Sequence, residues 1–510
     1  MSKMLARSLV ACAAACAALL CFAGTAPALS KPLKIGSNTI GLPSVPAVAV
    51  DSIGTLYAVW LDQPADTTLT FCKVPTAAAG CAPVQIQVPD PAHAEFFDPP
   101  SVLVSGTTVR IFEEVDGAPD RHRDGYDEWI STDGGATFTM FPYSLSWTGV
   151  GDTQGAGRMP VFPLFGDSVG IGEISAVSNP LVQTNSLAAP DDYSLATLPT
   201  PFATLSAGYT TGNLGGEFAS QLTGSTGVLG VFELIETGPC PSTGGLVFSW
   251  AGVTAATTDA QLNTSSSWSP LASLECNAEY PAVGGGPSGL GVLFTNDTNL
   301  AGVTLYRKFA APGTFAAAVT VAGGTALQPS ISQDGAGGIY ATWLTNAVGL
   351  RLAYSDDGGL GWDGDRTIAA DSSSTGVDSA ASAVDATGQG WAVYAFNGAE
   401  YAQPFVAADA YVTPVDRNLK VKPSSFTSSA TIDYADSEAA TTTFTVVELE
   451  KGSRVTIGSF THADLNGPVG IPFPSKVGGH ALAKGRYQLE ATPALGSLKG
   501  KTAKATFTVT

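Results

Sequence analysis

The sequence predicts an all-β protein, namely a β-propeller of repeated four-stranded blades followed by a small β-sandwich. Two observations support this prediction. The 510 residues include 58 Gly and 33 Pro but only 13% charged residues, which is typical of short strands joined by tight turns. A hydrophobic pattern also recurs about every 48 to 63 residues, a period that suits a four-stranded blade.

The N-terminus has the pattern of a secretory signal. Lys3 and Arg7 precede an apolar run, and the small residues Ala26 and Ala28 follow it. The run is shorter than the roughly 20 apolar residues that span a bilayer. We therefore expect residues 1–28 to be removed and the mature protein to be secreted or to lie at the cell surface, without a transmembrane segment. A retained signal anchor or a lipid anchor is the alternative.

Four cysteines follow the predicted signal. Disulfides are common in exported proteins, and proximity in the sequence favours the pairs Cys72–Cys81 and Cys240–Cys276. Four unpaired buried thiols are the alternative. No Cys-x-x-Cys spacing or nearby histidine accompanies these residues, so the sequence does not predict a zinc site.

Charge is divided unevenly along the chain. Residues 29–416 contain 37 acidic and 11 basic residues, whereas residues 417–510 contain 7 acidic and 11 basic residues. A surface as acidic as that of the first part repels phosphate groups, which argues against nucleic acid and anionic lipid as partners. Divalent cations, neutral sugars and peptides are more suitable ligands.

Three segments show the internal repeat most clearly. Each reads as a strand, an Asp- and Gly-rich turn and a second strand, which predicts a β-hairpin. The segments are VPAVAVDSIGTLYAVW, QPSISQDGAGGIYATW and SAASAVDATGQGWAVY. The positions they share are the turn aspartates Asp51, Asp334 and Asp385, the turn glycines Gly54, Gly337 and Gly388, and the final aromatics Trp60, Trp343 and Tyr394.

Looser copies bring the number of repeat units to seven. The units begin near residues 46, 100, 160, 218, 281, 329 and 380. We expect seven blades, with six blades and one irregular insertion as the alternative. The last unit has no clear fourth strand, and a strand near Leu33 to Gly36 could supply it. Such a strand would close the ring and remove exposed strand edges.

Two segments, WISTDGGATF and AYSDDGGLGW, fit the pattern S-x-D-x-G-x-[TG]-[FW]. They resemble the Asp boxes of sialidases and related propellers, which are structural turns remote from the active site. In this pattern Ser and Asp cap backbone amides, Gly adopts a positive φ, and the aromatic residue packs between strands. The residues concerned are Ser131, Asp133, Gly135 and Phe138 in the first segment and Ser355, Asp357, Gly359 and Trp362 in the second. A degenerate copy of the turn ends at Phe315. In the first repeat unit, a Cys72–Cys81 disulfide could hold the corresponding turn in place.

The resemblance to sialidases also implies an active site, which this sequence does not reproduce. In the family, arginines hold the substrate carboxylate, the first of them in an Arg-Ile-Pro motif of the first blade. Here Ser44 stands at that position and Gln63 at the place of a second arginine, and neither can neutralise a carboxylate. Arg158 precedes a blade-start proline, but in the third unit. Arg110, with Glu113 and Glu114, is the other candidate for a rebuilt site.

The segment 116–128 is the densest cluster of charged residues. Asp116, Asp120 and Asp124 are weak candidates for Ca²⁺ ligands, because Ca²⁺ prefers carboxylate oxygens. The alternative is a mobile, solvated loop, and we expect no other cofactor. Only four histidines are present, which gives a histidine metal site or a Ser-His-Asp triad no basis.

Residues 417–510 resemble the Ig- or fibronectin-like modules that end many exported actinobacterial proteins. The likeness lies in the strand-like segments 425–452, 482–493 and 505–510. We expect one core strand to contain Ala440, Phe444 and Val446, a turn and strand to contain Gly485, Arg486 and Tyr487, and the last strand to contain Phe507 and Val509. Modules of this kind usually act as spacers or adhesion units.

Two functions are consistent with these observations. The preferred one is a noncatalytic, monomeric, secreted or cell-surface propeller that binds a glycan or an extracellular protein at its axial face. The alternative is a glycoside hydrolase of the exo-α-sialidase type with a diverged site. Exposed aromatic residues near the axis would favour sugar binding, whereas accessible carboxylates about 5 to 10 Å apart would favour hydrolysis.

Overall fold

The structure is a computed structural model that describes two compact units, residues 29–407 and 408–510. The two units meet between residues 407 and 408, which is before the boundary between residues 416 and 417 that the composition predicts. The predicted signal, residues 1–28, lies outside the described residues. The described residues are 32–37, 45–61, 67–76, 80–87, 95–96, 100–116, 125–144, 161–163, 168–173, 181–186, 189–197, 216–221, 227–234, 245–252, 262, 267–269, 272–296, 302–310, 313–324, 326–345, 349–369, 379–410, 414–436, 440–450, 453–463, 467–495 and 498–510.

The first unit contains seven antiparallel sheets among its described residues, numbered here in chain order. Sheets 1 and 2 consist of β2 (Ala47–Val50), β3 (Leu56–Leu61), β4 (Thr68–Val74) and β5 (Val84–Gln87), and of β6 (Glu95–Phe96), β7 (Ser101–Ser105), β8 (Thr108–Asp116), β9 (Gly125–Ser131) and β10 (Thr139–Ser144). Sheets 3 and 4 consist of β11 (Val161–Pro163), β12 (Ser168–Glu173), β13 (Leu181–Ser186) and β14 (Ala189–Thr197), and of β15 (Gly216–Gln221), β16 (Gly227–Leu234), β17 (Gly245–Gly252) and β18 (Ala272–Cys276).

The remaining sheets of this unit follow the same order. Sheet 5 consists of β19 (Ala278–Gly284), β20 (Gly291–Asn296), β21 (Val303–Ala310), β22 (Thr314–Phe315) and β23 (Val319–Gly323). Sheet 6 consists of β24 (Leu327–Gln333), β25 (Ile339–Thr345), β26 (Gly349–Ser355) and β27 (Asp363–Ala369). Sheet 7 consists of β28 (Ser379–Val384), β29 (Gly390–Phe396), β30 (Ala399–Phe405) and β1 (Leu33–Ser37).

The sheets form a closed ring. Each inner strand, meaning β2, β7, β11, β15, β19, β24 or β28, contacts the inner strand of the next sheet, and β28 contacts β2. The strand β1 pairs antiparallel with β30, with Leu33 opposite Ala402. The predicted closing strand is therefore confirmed. Sheets arranged around a ring of inner strands make this unit a β-propeller.

Hydrophobic side chains of neighbouring sheets share common cores. Leu69 and Phe71 of sheet 1 pack with Ile111 and Trp129 of sheet 2 in one cluster. Another cluster joins sheet 5 to sheet 6, where Trp343 is only 1% exposed. Because sheet 1 is covered by sheet 2 on one face and by sheet 7 on the other, its central strand β3 is continuously apolar, and β25 of sheet 6 is almost so.

The second unit begins within the short helix α1 (Ala407–Ala410) and contains two sheets among its described residues. One consists of β31 (Asp416–Lys422), β33 (Thr431–Asp436) and β36 (Gly467–Pro472). The other consists of β32 (Ser425–Phe426), β34 (Thr441–Glu450), β35 (Ser453–Ala463), β37 (Gly485–Leu495), β38 (Leu498–Lys499) and β39 (Ala503–Val509).

A single core lies between these two sheets. Phe444 and Val446 of β34 pack there with Phe507 and Val509 of β39, which confirms their predicted strands. Ala440 directly precedes β34 and is also buried. No helix in the described part of either unit is long and apolar enough to cross a membrane.

Candidate functional site

The antiparallel order of the strands gives the ring two ends. Connections from first to second and from third to fourth strands lie at one end, here called the turn end. Connections from second to third strands, and from each sheet to the next, lie at the other end, here called the loop end. The inner strands begin at the loop end.

Equivalent aspartates build the turns between first and second strands. Asp51 Oδ1 accepts hydrogen bonds from the backbone amides of Ile53 (3.0 Å) and Thr55 (2.9 Å). Asp334 and Asp385 accept bonds from the amides two and four positions later in the same way. These aspartates therefore stabilise turns, and their carboxylates are occupied by the backbone.

Hydrogen bonds also join these turns across neighbouring sheets. The hydroxyl of Tyr340 lies 3.3 Å from the carbonyl oxygen of Gly388. The indole nitrogen of Trp391 donates to the carbonyl oxygen of Gly54, at 3.0 Å. The second contact connects sheet 7 to sheet 1, so the turn end is linked across the point where the ring closes.

The two Ser-x-Asp-x-Gly turns have the same hydrogen-bond scheme. Ser131 Oγ accepts a bond from the amide of Gly135, and Ser355 Oγ accepts one from the amide of Gly359, both at 2.8 Å. Asp133 accepts bonds from the amides of Ala136 and Thr137, and Asp357 accepts the corresponding pair. The bonds that Asp133 accepts, chiefly from Thr137, hold the pKa of its carboxyl well below the usual range.

Each of these turns packs on an aromatic residue in the third strand of the preceding sheet. Phe138 meets Phe71 edge to face at 5.0 Å, and Trp362 meets Tyr306 at 5.3 Å. In the degenerate copy Phe315 meets Phe248 in the same way, at 4.8 Å. The aromatic contact thus persists where serine and aspartate are lost.

The disulfide Cys72–Cys81 is present and links β4 to the segment before β5. Cys276 is also disulfide-bonded, while its predicted partner Cys240 lies outside the described residues. The predicted disulfide of the first repeat unit, Cys72–Cys81, is therefore confirmed.

Four charged residues of sheet 2 are buried, which corrects the sequence analysis. Asp127 and Glu128 lie in β9, not in a solvated loop, and they are 4% and 0% exposed. Arg110 is also buried and forms an ion pair with Glu128. The long strands β8 and β9 contain all of these residues. Because the side chains of Arg110 and Glu113 are buried in the sheet, a substrate cannot contact them.

The pairing of β8 with β9 explains where these carboxylates lie. Glu113 is opposite Asp127, on the same face as Ile111 and Trp129. That face packs against sheet 1. Apolar residues flank the charged ones in 109–115 and 126–130, and this was the sequence sign that both segments are strands.

Several predicted site residues lie outside the described residues. They are Ser44, Gln63, Asp120, Asp124 and Arg158, together with the side chains of Glu114 and Asp116. The backbone of Asp116 ends β8. In the part of the chain that is described, no group of three or more His, Cys, Asp or Glu side chains could hold a metal ion.

Two arginines lie in third strands, one in β21 before the degenerate copy and one in β26 before a Ser-x-Asp-x-Gly turn. Arg307 pairs with Glu275 at 3.3 Å and donates to the carbonyl oxygen of Ala316. Arg351 pairs with Asp365 at 2.6 Å. Both guanidinium groups are therefore held within their own sheets and nearby strands.

The loop end contains a strained aromatic residue that the sequence analysis missed. Tyr280, on the inner strand β19, has φ of 53° and is 41% exposed. The pairing of β19 with β20 shifts register between Glu279 and Ala282, which marks a β-bulge. A left-handed conformation is costly for a tyrosine, and bulges next to functional sites re-aim side chains.

Gln328 is the equivalent residue one sheet later. It has φ of 45°, lies at a register shift in β24 and also precedes a proline. Its side-chain oxygen accepts a hydrogen bond from the amide of Ala380, at 2.9 Å, and so joins two inner strands. The same backbone conformation therefore supports a structural contact at Gln328 and exposes an aromatic ring at Tyr280.

Comparisons with known proteins leave the family open. No protein-family model and no curated protein matches this chain. An α-L-arabinanase of Penicillium chrysogenum, bound to arabinobiose, is 10% identical over 75% of this chain and 100% of its own, with a TM-score of 0.44. An ulvan lyase of polysaccharide lyase family PL25 is 10% identical over 74% and 96%, with a TM-score of 0.45. A Trypanosoma rangeli sialidase mutant with trans-sialidase activity is 11% identical over 88% and 91%, with a TM-score of 0.39. At these values the likenesses support no argument about activity.

Proposed function

We propose that this protein is an exported, noncatalytic β-propeller that binds a carbohydrate at the loop end of its ring, with Tyr280 as a contact residue. In this proposal the seven sheets are seven blades. The unit 408–510 is an Ig-like module that acts as a spacer, and residues 1–28 are a signal that is removed.

The observation that carries the proposal is the exposed ring of Tyr280 on an inner strand. A tyrosine offers an apolar face that can stack on the C–H groups of a sugar ring and a hydroxyl that can bond to sugar hydroxyls. Its left-handed backbone is costly, and such strain persists where the surrounding structure imposes it, commonly at ligand sites. The closed ring around it supplies a rigid support.

The burial of the charged residues in sheet 2 favours binding over hydrolysis. A glycoside hydrolase needs two carboxyl groups that reach the glycosidic bond, about 5 to 10 Å apart. Glu113, Asp127 and Glu128 are each at most 4% exposed, and Glu113 and Asp127 lie on the face of sheet 2 that packs against sheet 1. Carboxylates in that position cannot contact a glycan.

The charge of the first unit favours an uncharged ligand. Residues 29–407 have 35 acidic and only 11 basic residues. A negative potential of this kind lowers the local concentration of anionic sugars. We therefore propose a neutral glycan and not a sialylated or sulfated one.

A glycan array tests this proposal. The mature protein, labelled with a fluorophore, should bind a set of neutral glycans and leave their sialylated and sulfated forms unbound at the same salt concentration. Binding confined to the anionic glycans would contradict the proposed ligand class. No binding to any glycan, together with capture of an extracellular protein, would contradict the carbohydrate proposal.

The second candidate is a glycoside hydrolase of the sialidase type, which the repeated Ser-x-Asp-x-Gly turns favour. Turnover of a fluorogenic sialoside, abolished by Arg158→Ala and kept by the surface variant Arg417→Ala, would support it. We expect no turnover by the wild-type protein. Activity with this dependence on Arg158 would contradict the noncatalytic proposal.

A further inference from the structure

A cleft in the second unit has no part in the function proposed above. It has a volume of about 280 Å³ and lies at the ends of β34, β35 and β37, against the segment 480–483. Its walls include Glu448, Thr456, Ile457, His480, Leu482 and Tyr487.

Two polar residues of the cleft, Glu448 and Tyr487, are paired across β34 and β37. Tyr487 is 1% exposed, and its hydroxyl lies 3.3 Å from Glu448 Oε1 and 2.9 Å from the carbonyl oxygen of Ala483. Burial, followed by the nearby charge of Glu448, raises the pKa of Tyr487. The phenol is therefore a neutral donor at physiological pH, next to a carboxylate.

A tight turn holds one wall of the cleft in place. Val477 and His480 exchange backbone hydrogen bonds of 2.9 and 3.1 Å. The two residues between them, Gly478 and Gly479, have φ of 60° and 85°, which is the conformation of a two-residue hairpin turn. Val477 is 1% exposed and anchors this turn in the core.

The sides of the cleft are aliphatic. Ile457 and Leu482 are partly buried and pack against the core of this unit. Glu448 Oε1 lies 3.3 Å from the hydroxyl of Tyr487, whose shorter hydrogen bond, of 2.9 Å, goes to the carbonyl oxygen of Ala483, so the carboxylate can accept a hydrogen bond from a ligand. The cleft thus combines the carboxylate of Glu448 with the apolar side chains of Ile457 and Leu482, beside Thr456 and His480.

We propose that this cleft binds a primary ammonium group carried on an aliphatic stem, of the kind found in a lysine side chain or an alkyl amine. The ammonium donates to Glu448 in a charge-assisted hydrogen bond. The stem lies against Ile457 and Leu482, because methylene groups favour apolar contact while their charged end is paired. This site does not depend on the carbohydrate site of the first unit.

Methyl NMR of the full mature protein tests the proposal. Isoleucine and leucine methyl groups are labelled, and the protein is titrated with n-butylammonium chloride or with n-butanol, its uncharged counterpart. We expect saturable shifts of Ile457 and Leu482 with the ammonium and none with the alcohol. Glu448→Gln should weaken binding at least tenfold, whereas Glu450→Gln, at an exposed position of the same strand, should leave it unchanged.

Three results would overturn the proposal. They are equal shifts with n-butanol, no shift of either methyl group with the ammonium, and equal weakening by Glu448→Gln and Glu450→Gln. The variant Tyr487→Phe keeps the ring, removes the hydroxyl beside Glu448 Oε1 and should retain binding within about twofold. If Glu448→Gln fails to fold, a large loss of affinity in Tyr487→Phe would contradict the assignment to Glu448.

Discussion

Single residues at the turn end show how strongly local geometry constrains this chain. Gly135 has φ of 90°, and a Cβ added to it would lie 2.4 Å from the ring of Phe71. Gly359 also has a positive φ, and a Cβ added to it would clash with the ring of Tyr306. Each glycine therefore permits both the turn and its close approach to the preceding sheet.

Gly135→Ala should consequently lower the free energy of unfolding, by roughly 1–3 kcal/mol from overpacking and backbone strain. Urea unfolding followed by tryptophan fluorescence measures the change. Gly80→Ala is the control, because a Cβ there meets no atom within 4 Å. Equal stability of Gly135→Ala and the wild type would show that this turn does not pack as described.

The residues whose roles were predicted correctly contact groups that are close to them in the sequence. The serine, aspartate and glycine of each turn contact amides within four positions, so their roles follow from the local sequence. Burial of Asp127 and Glu128 depends instead on how far β8 and β9 extend. The exposure of Tyr280 depends on a bulge in the pairing of β19 with β20, for which the only local sign is an aromatic residue before a blade-start proline.

Among the elements, we expect removal of β1 to lower stability most, because this strand pairs the start of the first unit with its last sheet. It adds a fourth strand to sheet 7 beside β30. Ile35 is buried in a core that also contains Trp60 and Trp391. The strand was predictable because the last repeat unit lacked one strand and an apolar segment precedes the first repeat unit in the sequence.

Deletion of residues 29–37 should therefore destabilise the first unit and leave an exposed strand edge on β30, which favours association. We expect a lower melting temperature and concentration-dependent aggregation by light scattering. The control is Lys34→Ala, which removes an exposed side chain of β1 and keeps the strand. Unchanged melting after the deletion would contradict the role of β1 in closing the ring.

At the scale of the whole molecule, the chain consists of two units with separate cores. The composition change near residue 417 indicates the second unit, and the strand pattern indicates its type. The sequence does not show its division at Ala407 and Ala408 or the cleft beside Tyr487, because both arise from contacts between distant strands.

Residues 408–510 expressed alone should fold, since one continuous core joins both sheets of this unit. We expect a dispersed proton–nitrogen NMR spectrum with the shifts of β-structure. A fragment that begins at residue 424, without β31, is the control and should lose this dispersion. A random-coil spectrum of 408–510 would contradict its independence.

The proposal that Tyr280 forms part of a carbohydrate site can be tested most directly by calorimetric titration of the neutral glycan with the strongest array signal. Tyr280→Phe keeps the ring and should bind within about threefold of the wild type. Tyr280→Gly tolerates the left-handed backbone but lacks the ring, and it should bind at least tenfold more weakly, because burying a large apolar side chain contributes about 1.5–3 kcal/mol. Asn397→Gly, at another positive-φ residue, should bind normally. Equal affinity of Tyr280→Gly and the wild type would contradict the proposed site.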